Sequence, residues 1–130
     1  MVVYPSVERI IEFNFLALLF IRAKRADSPK VLSRSKIEEV LEECKQKDGD
    51  AYDKAVSLLK GIIQKHAFAS GNRRTALLAT SYFLLSNNAK SYIEDSPDNA
   101  RIMTGIREHY YSDQEIKGWL RHGKIKAFQR

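Results

Sequence analysis

The sequence predicts an all-α fold, a compact single-domain bundle of about six helices that spans residues 1–130. Apolar residues recur at spacings of three and four along most of the chain. Serine or aspartate precedes these stretches at the positions where helix N-caps belong. Strand signals are weak and fall on two places, the polar connector at about residues 23–34 and the pair Tyr92-Ile93. The connector leaves room for a short β-flap.

The first two helices are predicted in the N-terminal third of the chain. Ser6 can cap a helix that runs to about Arg22. Its residues are apolar nearly all round, so we expect it at the centre of the bundle or covered by a partner, which leaves a homodimer open. A second helix is predicted from a capping box of Ser35 and Glu38. Cys44 lies on its apolar face and is therefore expected in the core.

The third and fourth helices flank the most informative loop. Asp50 is the predicted N-cap of the third helix, and the spacing of its apolar face extends to His66. We therefore expect this helix to end in a histidine on its inward side. The fourth helix is predicted from near Asn72 to Asn87. Because it is apolar on most sides, we expect it at the centre of the bundle.

The last two helices have clear start signals. Ser96-Pro97 combines a cap with a proline at the first helical position. Ser112 and Glu115 form another capping box. Gly123 is the expected end of the sixth helix.

Composition narrows the class of protein. The chain is 44% apolar and 29% charged, as in an ordinary soluble domain. A single cysteine excludes an internal disulfide. The longest apolar stretch, residues 15–21, is shorter than the roughly 20 residues that cross a bilayer, and basic residues follow it instead of preceding it. We therefore expect a cytoplasmic protein without a membrane partner.

Charge points to an anionic partner. The net charge is +6, and no acidic residue occurs between Asp53 and Glu94. Such an acid-free segment is typical of a protein that binds a nucleotide phosphate, a nucleic acid or an acidic protein. A basic surface that is merely solvated has the same pattern. Specific nucleic-acid recognition is disfavoured, since no helix shows regularly spaced basic residues interleaved with aromatic ones.

The residues from 66 to 74 combine the features of a phosphate site. The start of a helix exposes unpaired N–H groups and the positive end of its dipole. Gly71 allows close approach of a ligand, and Asn72 adds a side-chain donor. Arg73 and Arg74 add fixed charge and forked hydrogen bonding. His66 can accept a proton near neutral pH, although a lone histidine on an apolar face is more often a core residue.

This stretch resembles the signature of the Fic/Doc family, His-x-Phe-x-acidic-Gly/Ala-Asn-Gly/Lys-Arg. The residues that match in register are His66, Phe68, Gly71, Asn72 and Arg74. Thr75-Ala76 and Leu77 further resemble the Doc (death-on-curing) branch. The order of helices, the connector and the chain length are also similar, so the resemblance covers most of the chain.

The resemblance implies an enzyme that transfers part of a nucleoside triphosphate such as ATP to a protein hydroxyl. Fic members usually transfer AMP, whereas Doc-type members transfer the terminal phosphate to a translation elongation factor and are neutralised by a small antitoxin. By the same resemblance, His66 is the general base, Phe68 is the buried anchor of the loop, and the connector at 23–34 is the flap that docks the target. The implied phosphate- and nucleotide-binding residues are Ser70, Gly71, Asn72, Arg73 and Arg74.

Two departures from the family pattern keep alternatives open. Ser70 replaces the acidic residue that helps hold Mg²⁺. Its hydroxyl can still bind the ion but brings no negative charge, so any Mg²⁺ is bound more weakly, and Glu94 and Asp95 are the candidates to supply the missing charge. Arg73 replaces a lysine and adds bulk, which favours phosphate transfer over AMP transfer. Four interpretations therefore remain open. They are a Doc-like kinase, a Fic-type AMP transferase, a catalytically degenerate member that binds a nucleotide or a partner, and a basic nucleic-acid binder.

Overall fold

The computed structural model describes residues 1–21, 29–94 and 96–130, with the side chains of residues 20 and 21 excepted. Six helices occur in these residues: α1 (Val7–Ile21), α2 (Arg34–Gln46), α3 (Ala51–Lys65), α4 (Asn72–Ser86), α5 (Pro97–Arg107) and α6 (Asp113–His122). The predicted all-α fold is confirmed. In the described ranges, extended pairing is limited to one isolated antiparallel bridge between Val31 and Phe68. Tyr92-Ile93 forms no strand.

The central helix is α3, not α4 as the apolar content of the sequence predicted. Helix α3 packs against α2, α4, α5 and α6, whereas α4 packs against α1 and α3. Gly61 explains part of this, because a Cβ at that position would lie 2.9 Å from the methyl groups of Val40. The missing side chain lets α2 approach α3 closely. Helix α4 has a solvent side, where Leu85 is exposed.

Most helix boundaries follow the predicted caps. Asp50 accepts a hydrogen bond from the Asp53 N–H, and Ser96 accepts one from the Asn99 N–H. Ser112 and Glu115 form the predicted capping box of α6, and Gly123 ends that helix in the left-handed conformation.

The predicted capping box of α2 is wrong. Ser33, not Ser35, is the N-cap, and its hydroxyl accepts from the N–H of Lys36 at 3.2 Å. Ser33 is still extended, because its N–H and that of Leu32 both donate to the carbonyl of Ala67. The helix therefore begins as soon as this pairing ends, at Arg34.

The α1 helix is only partly covered. Its inner side packs against α4 and α2, whereas Phe15, Leu16 and Leu19 are between 43% and 51% exposed. It is therefore not the centre of the bundle, and its cover by a partner stays a prediction. In the part of the chain that the structure describes, no helix has the length and apolarity needed to cross a membrane.

Cys44 lies in the core, as predicted, with no exposed surface. Burial raises the pKa of its thiol to about 11, against a smaller opposing effect of Lys54 and Lys45. The nucleophilic thiolate is therefore scarce at neutral pH.

Candidate functional site

The loop between α3 and α4 begins with a sharp turn at His66. This residue adopts the left-handed conformation, with φ of 54°. The turn ends α3 at Lys65 and directs the chain away from the helix axis, so the His66 side chain is exposed. The expectation of a histidine on the inward side of the helix is wrong, because it assumed one more helical residue than the chain forms.

The middle of the loop is extended and tied to the end of the connector. The N–H of Leu32 donates to the carbonyl of Ala67 at 2.8 Å, and the N–H of Ala69 donates to the carbonyl of Lys30 at 3.0 Å. Between them, Phe68 is completely buried. Residues 30–33 of the predicted flap are thus paired with the loop, while that segment up to residue 28 lies outside the described residues.

The side chain of Asn72 closes the loop on itself. Its Oδ1 accepts from the N–H of Phe68 at 3.1 Å, and its Nδ2 donates to the Phe68 carbonyl at 2.9 Å. The same Nδ2 lies 3.3 Å from Nδ1 of His66. Asn72 therefore connects the helix start to both His66 and Phe68, and its carboxamide is engaged within the loop.

The start of α4 is built around Gly71, which is the N-cap and has φ of 77°. Glycine offers no side-chain acceptor to the first N–H groups of α4, so these remain available to an anion. Asn14 of α1 holds the preceding turn by donating to the Ser70 carbonyl at 2.8 Å. A Cβ at Gly71 would lie 3.3 Å from Leu18 and 3.4 Å from Asn14. The helix start is therefore fixed against α1.

A cavity of about 300 Å³ lies next to this helix start. On one side it is lined by residues 70–74, the five predicted phosphate- and nucleotide-binding residues. On the other side it is lined by Ser96 and Asn99, at the start of α5, and by Glu94 just before it. Two helix N-termini thus face one cavity, a favourable environment for a negatively charged group. His66 is not one of the lining residues.

Arg73 lines both this cavity and a second one. Its Nη1 donates to Oγ1 of Thr104 on α5 at 2.7 Å, so the side chain spans from α4 to α5. Arg73 and Ala100 line both cavities. The second cavity, of about 360 Å³, is also lined by Arg101 and Arg130. An anionic group that extends from one cavity towards the other would therefore meet the bulky Arg73 guanidinium.

Glu94 is a cavity residue that sequence reasoning could not place. Its carbonyl accepts from Nδ2 of Asn99 at 2.6 Å, and Oδ1 of Asn99 accepts from Nε1 of Trp119 at 3.3 Å. The only signal in the sequence was its position as the first acidic residue after the acid-free window. Its placement depends on how α5 and α6 pack. Asp95, the other candidate, lies outside the described residues.

Residues 24–84 of the chain are similar to a known protein family. No curated protein matches the chain. The family match is to Fic/DOC as a whole, and the Doc branch stays a prediction. The model of the Fic/DOC family matches residues 24–84 of this chain, a segment that contains α2, α3, the loop from His66 to Arg74 and most of α4.

Proposed function

We propose that this chain is a Doc-like toxin that transfers the terminal phosphate of a nucleoside triphosphate such as ATP to a protein hydroxyl. The match to the Fic/DOC family suggests, in general terms, modification of proteins by transfer from a nucleotide. The observation that carries the proposal is the cavity at the start of α4, which is lined by residues 70–74. Neither the kind of group transferred nor the target follows from the family match.

The triphosphate would bind at the start of α4. Backbone N–H groups and the helix dipole favour anions there, and Gly71 lets phosphate oxygens approach the backbone. Arg73 and Arg74 line the same cavity and can form charge-assisted hydrogen bonds to those oxygens. Because phosphoryl transfer is catalysed mainly by positioning and charge stabilisation, such a cradle supplies much of what the reaction needs.

Arg73 supports transfer of the terminal phosphate over transfer of AMP. Its side chain reaches from α4 to Thr104 on α5 and lines both cavities. AMP transfer requires the nucleoside and α-phosphate next to the attacking hydroxyl. A guanidinium at this position restricts the space for that pose and leaves room for the smaller terminal phosphate.

His66 is the candidate general base. The hydroxyl oxygen of the target forms a bond to the terminal phosphorus, the bond from that phosphorus to the bridging oxygen breaks, and the nucleoside diphosphate leaves. The proton of the hydroxyl passes to His66. The exposed ring is accessible to a protein substrate. For this step the His66 ring must come within hydrogen-bond distance of a group held at the cavity. Asn72, which lines the cavity, links the ring to it.

Mg²⁺ fits the loop only in part. The Ser70 hydroxyl lines the cavity and is a hard oxygen donor of the kind that Mg²⁺ accepts, but it is neutral. When bound, the cation neutralises charge that develops on the phosphate oxygens. Ser70 alone would hold it more weakly than a carboxylate.

The proposed protein substrate is a translation elongation factor in the cytoplasm, with arrest of translation as the outcome and a small antitoxin as the neutralising partner. The segment from Lys30 to Ser33 is extended where it pairs with the loop. An extended segment supports docking of a target peptide as an added strand. Its Val31 and Leu32 side chains are exposed and available to a partner.

Radiolabelled ATP tests the proposal directly. We expect the purified protein to label a protein in a translation extract from γ-labelled but not from α-labelled ATP. His66→Ala should slow labelling by about 10²- to 10⁴-fold. His122→Ala, which changes another exposed histidine at the end of α6, should label normally. Label from α-labelled ATP would establish AMP transfer instead, and no label from either, also with Ser70→Asp, would refute the proposal.

A degenerate member that binds nucleotide without transfer is the second candidate. Ser70 favours it, because this residue brings no negative charge to the metal. This alternative predicts saturable ATP binding without turnover. It also predicts that toxicity in cells is unchanged by His66→Ala, whereas the kinase proposal predicts its loss.

A further inference from the structure

We propose that the Glu94 carboxylate is a ligand of the divalent cation that accompanies the bound triphosphate, and that it supplies the negative charge that Ser70 does not. This inference rests on the proposed nucleotide binding. It assigns a metal-ligand role to a residue outside the loop from His66 to Arg74, contributed by the segment that leads into α5.

The first observation is the location of Glu94. It lines the same cavity as Ser70 and the two arginines of α4. Among the described residues that line this cavity, it is the only one with a carboxylate. Ser70 and Glu94 therefore border one space of about 300 Å³, which is large enough for a phosphate group and a cation.

The second observation is that the backbone of Glu94 is held in place although its side chain is exposed. The preceding residue, Ile93, is buried, and the N–H of Tyr92 donates to the carbonyl of Leu120 at 3.0 Å. The Glu94 carbonyl accepts from Asn99, which in turn accepts from the buried Trp119. Such a support fixes the backbone of Glu94 beside the cavity before any ligand binds.

The third observation concerns charge. Among the described residues, the Glu94 carboxylate takes part in no ion pair, although it lies in a cavity with Arg73 and Arg74. A carboxylate there repels a bare triphosphate, and a cation between the carboxylate and the phosphate oxygens turns this repulsion into attraction.

The ligand chemistry is that of Mg²⁺. In nucleotide sites this ion is bound by one or two protein oxygens, and phosphate oxygens and water complete its shell. Within the described residues, no group of three or more His, Cys, Asp and Glu side chains could hold a metal by itself. Glu94 with the hydroxyl of Ser70 is therefore a pair that needs the nucleotide to complete the site.

Metal-dependent binding of a non-hydrolysable ATP analogue tests this inference. We would measure its Kd by calorimetry with Mg²⁺ and with EDTA, and detect bound Mn²⁺ by electron paramagnetic resonance. In the wild type, we expect Mg²⁺ to tighten binding at least tenfold. In Glu94→Gln, we expect this gain to disappear together with the bound Mn²⁺ signal, whereas the affinity in EDTA stays the same or rises.

Two further variants make the test specific. Ser70→Asp combined with Glu94→Gln should restore both the gain and the Mn²⁺ signal, because it places a carboxylate on another residue that lines the same cavity. Asp98→Asn removes one negative charge from the first turn of α5 outside this cavity and should keep the Mg²⁺ dependence.

Three results would overturn the inference. If Glu94→Gln tightens analogue binding equally with Mg²⁺ and with EDTA, the carboxylate is a counter-ion of the arginines. If the variant leaves the Mg²⁺ dependence unchanged, the cation is held elsewhere, while the proposed nucleotide binding stands. If the wild type binds no analogue under any condition, both the proposed function and this inference fail.

Discussion

The carboxamide of Asn72 determines which nitrogen of the neutral His66 ring carries the proton. Its orientation is fixed, because the Phe68 N–H can only donate to Oδ1 and the Phe68 carbonyl can only accept from Nδ2. Nδ2 is therefore the donor towards Nδ1 of His66. The neutral ring then carries its proton on Nε2. To act as a base through Nε2, it must first move that proton to Nδ1.

This geometry predicts the tautomer of His66 in the nucleotide-free protein. We expect two-bond proton–nitrogen correlation spectra to show a neutral His66 ring with its proton on Nε2. The preference rests on one hydrogen bond of about 1 kcal/mol, so nucleotide or target binding can reverse it. His122, exposed at the end of α6, is the reference in the same spectrum. A resting ring that carries its proton on Nδ1 would contradict the arrangement around Asn72.

Asn14 shows what a single residue reveals before the fold is known. A polar side chain in an apolar helix needs a hydrogen-bond partner if it is buried, and Asn14 is 1% exposed. Its partners are the Ser70 carbonyl and Oγ1 of Thr75, at 2.8 Å and 3.1 Å. They lie more than fifty residues along the chain, so the sequence indicates the need and not the partner. The contact is what ties α1 to the phosphate-binding turn.

Helix starts were predictable where neighbouring residues alone determine which residue is the N-cap. Asp50, Ser96 and Ser112 cap their helices because a short side-chain acceptor precedes each apolar stretch by the right number of residues. At α2, two serines satisfied the same rule. The choice of Ser33 over Ser35 depends on pairing with Ala67, a contact that spans more than thirty residues.

The two serines of α2 provide a matched test of this assignment. We expect Ser33→Ala to lower the free energy of unfolding by about 1 kcal/mol, because the Lys36 N–H loses its acceptor. Ser35→Ala should change it by less than about 0.5 kcal/mol, since this residue lies within the first turn and is exposed. Urea denaturation of both variants measures the difference. Equal losses for both would argue against Ser33 as the cap.

At the scale of the whole molecule, the sequence predicted the class of fold and the composition of the loop but not how the helices enclose the site. The apolar pattern of α4 resembled that of a central helix, yet α3 is central because Gly61 admits α2. His66 and Glu94 depended on a turn and on distant packing, respectively. The left-handed turn at His66 ends α3 one residue earlier than its apolar spacing indicates, and the position of Glu94 is set by contacts between segments that no local pattern encodes.

Charge pairs join α3 and α6 across the bundle. Lys117 of α6 lies 3.0 Å from Asp53 at the start of α3, and Lys60 of α3 lies 2.6 Å from Asp113 at the start of α6. These contacts reduce the pKa of both carboxyl groups. For Asp53 the main cause is the hydrogen bond from Lys117, and for Asp113 it is the hydrogen bond from Lys60. The α3–α6 contact is therefore sensitive to acid.

The direction of these shifts predicts how stability depends on pH. In the unfolded chain both groups titrate near their ordinary pKa of 3.8. Because the folded values are lower, the unfolded chain binds more protons, and the stabilisation is complete at neutral pH and lost as the pH falls through the folded values. We expect the urea midpoint to be steady from pH 7 to about pH 5 and to fall below that, as carboxylates near their ordinary pKa become protonated.

Asp53→Asn isolates one of these pairs. The variant should be less stable than the wild type at pH 7, and the deficit should shrink as the pH falls below the ordinary pKa of 3.8, because proton binding by the unfolded wild-type chain then removes the stabilisation that its ionised carboxylate provides. Glu42→Gln, which removes an exposed carboxylate whose hydrogen-bond partner is the neutral Gln46, should give a curve parallel to that of the wild type. A deficit of Asp53→Asn that is the same at pH 7 and pH 3 would show that the residue stabilises α3 through its capping geometry alone, without the ion pair to α6.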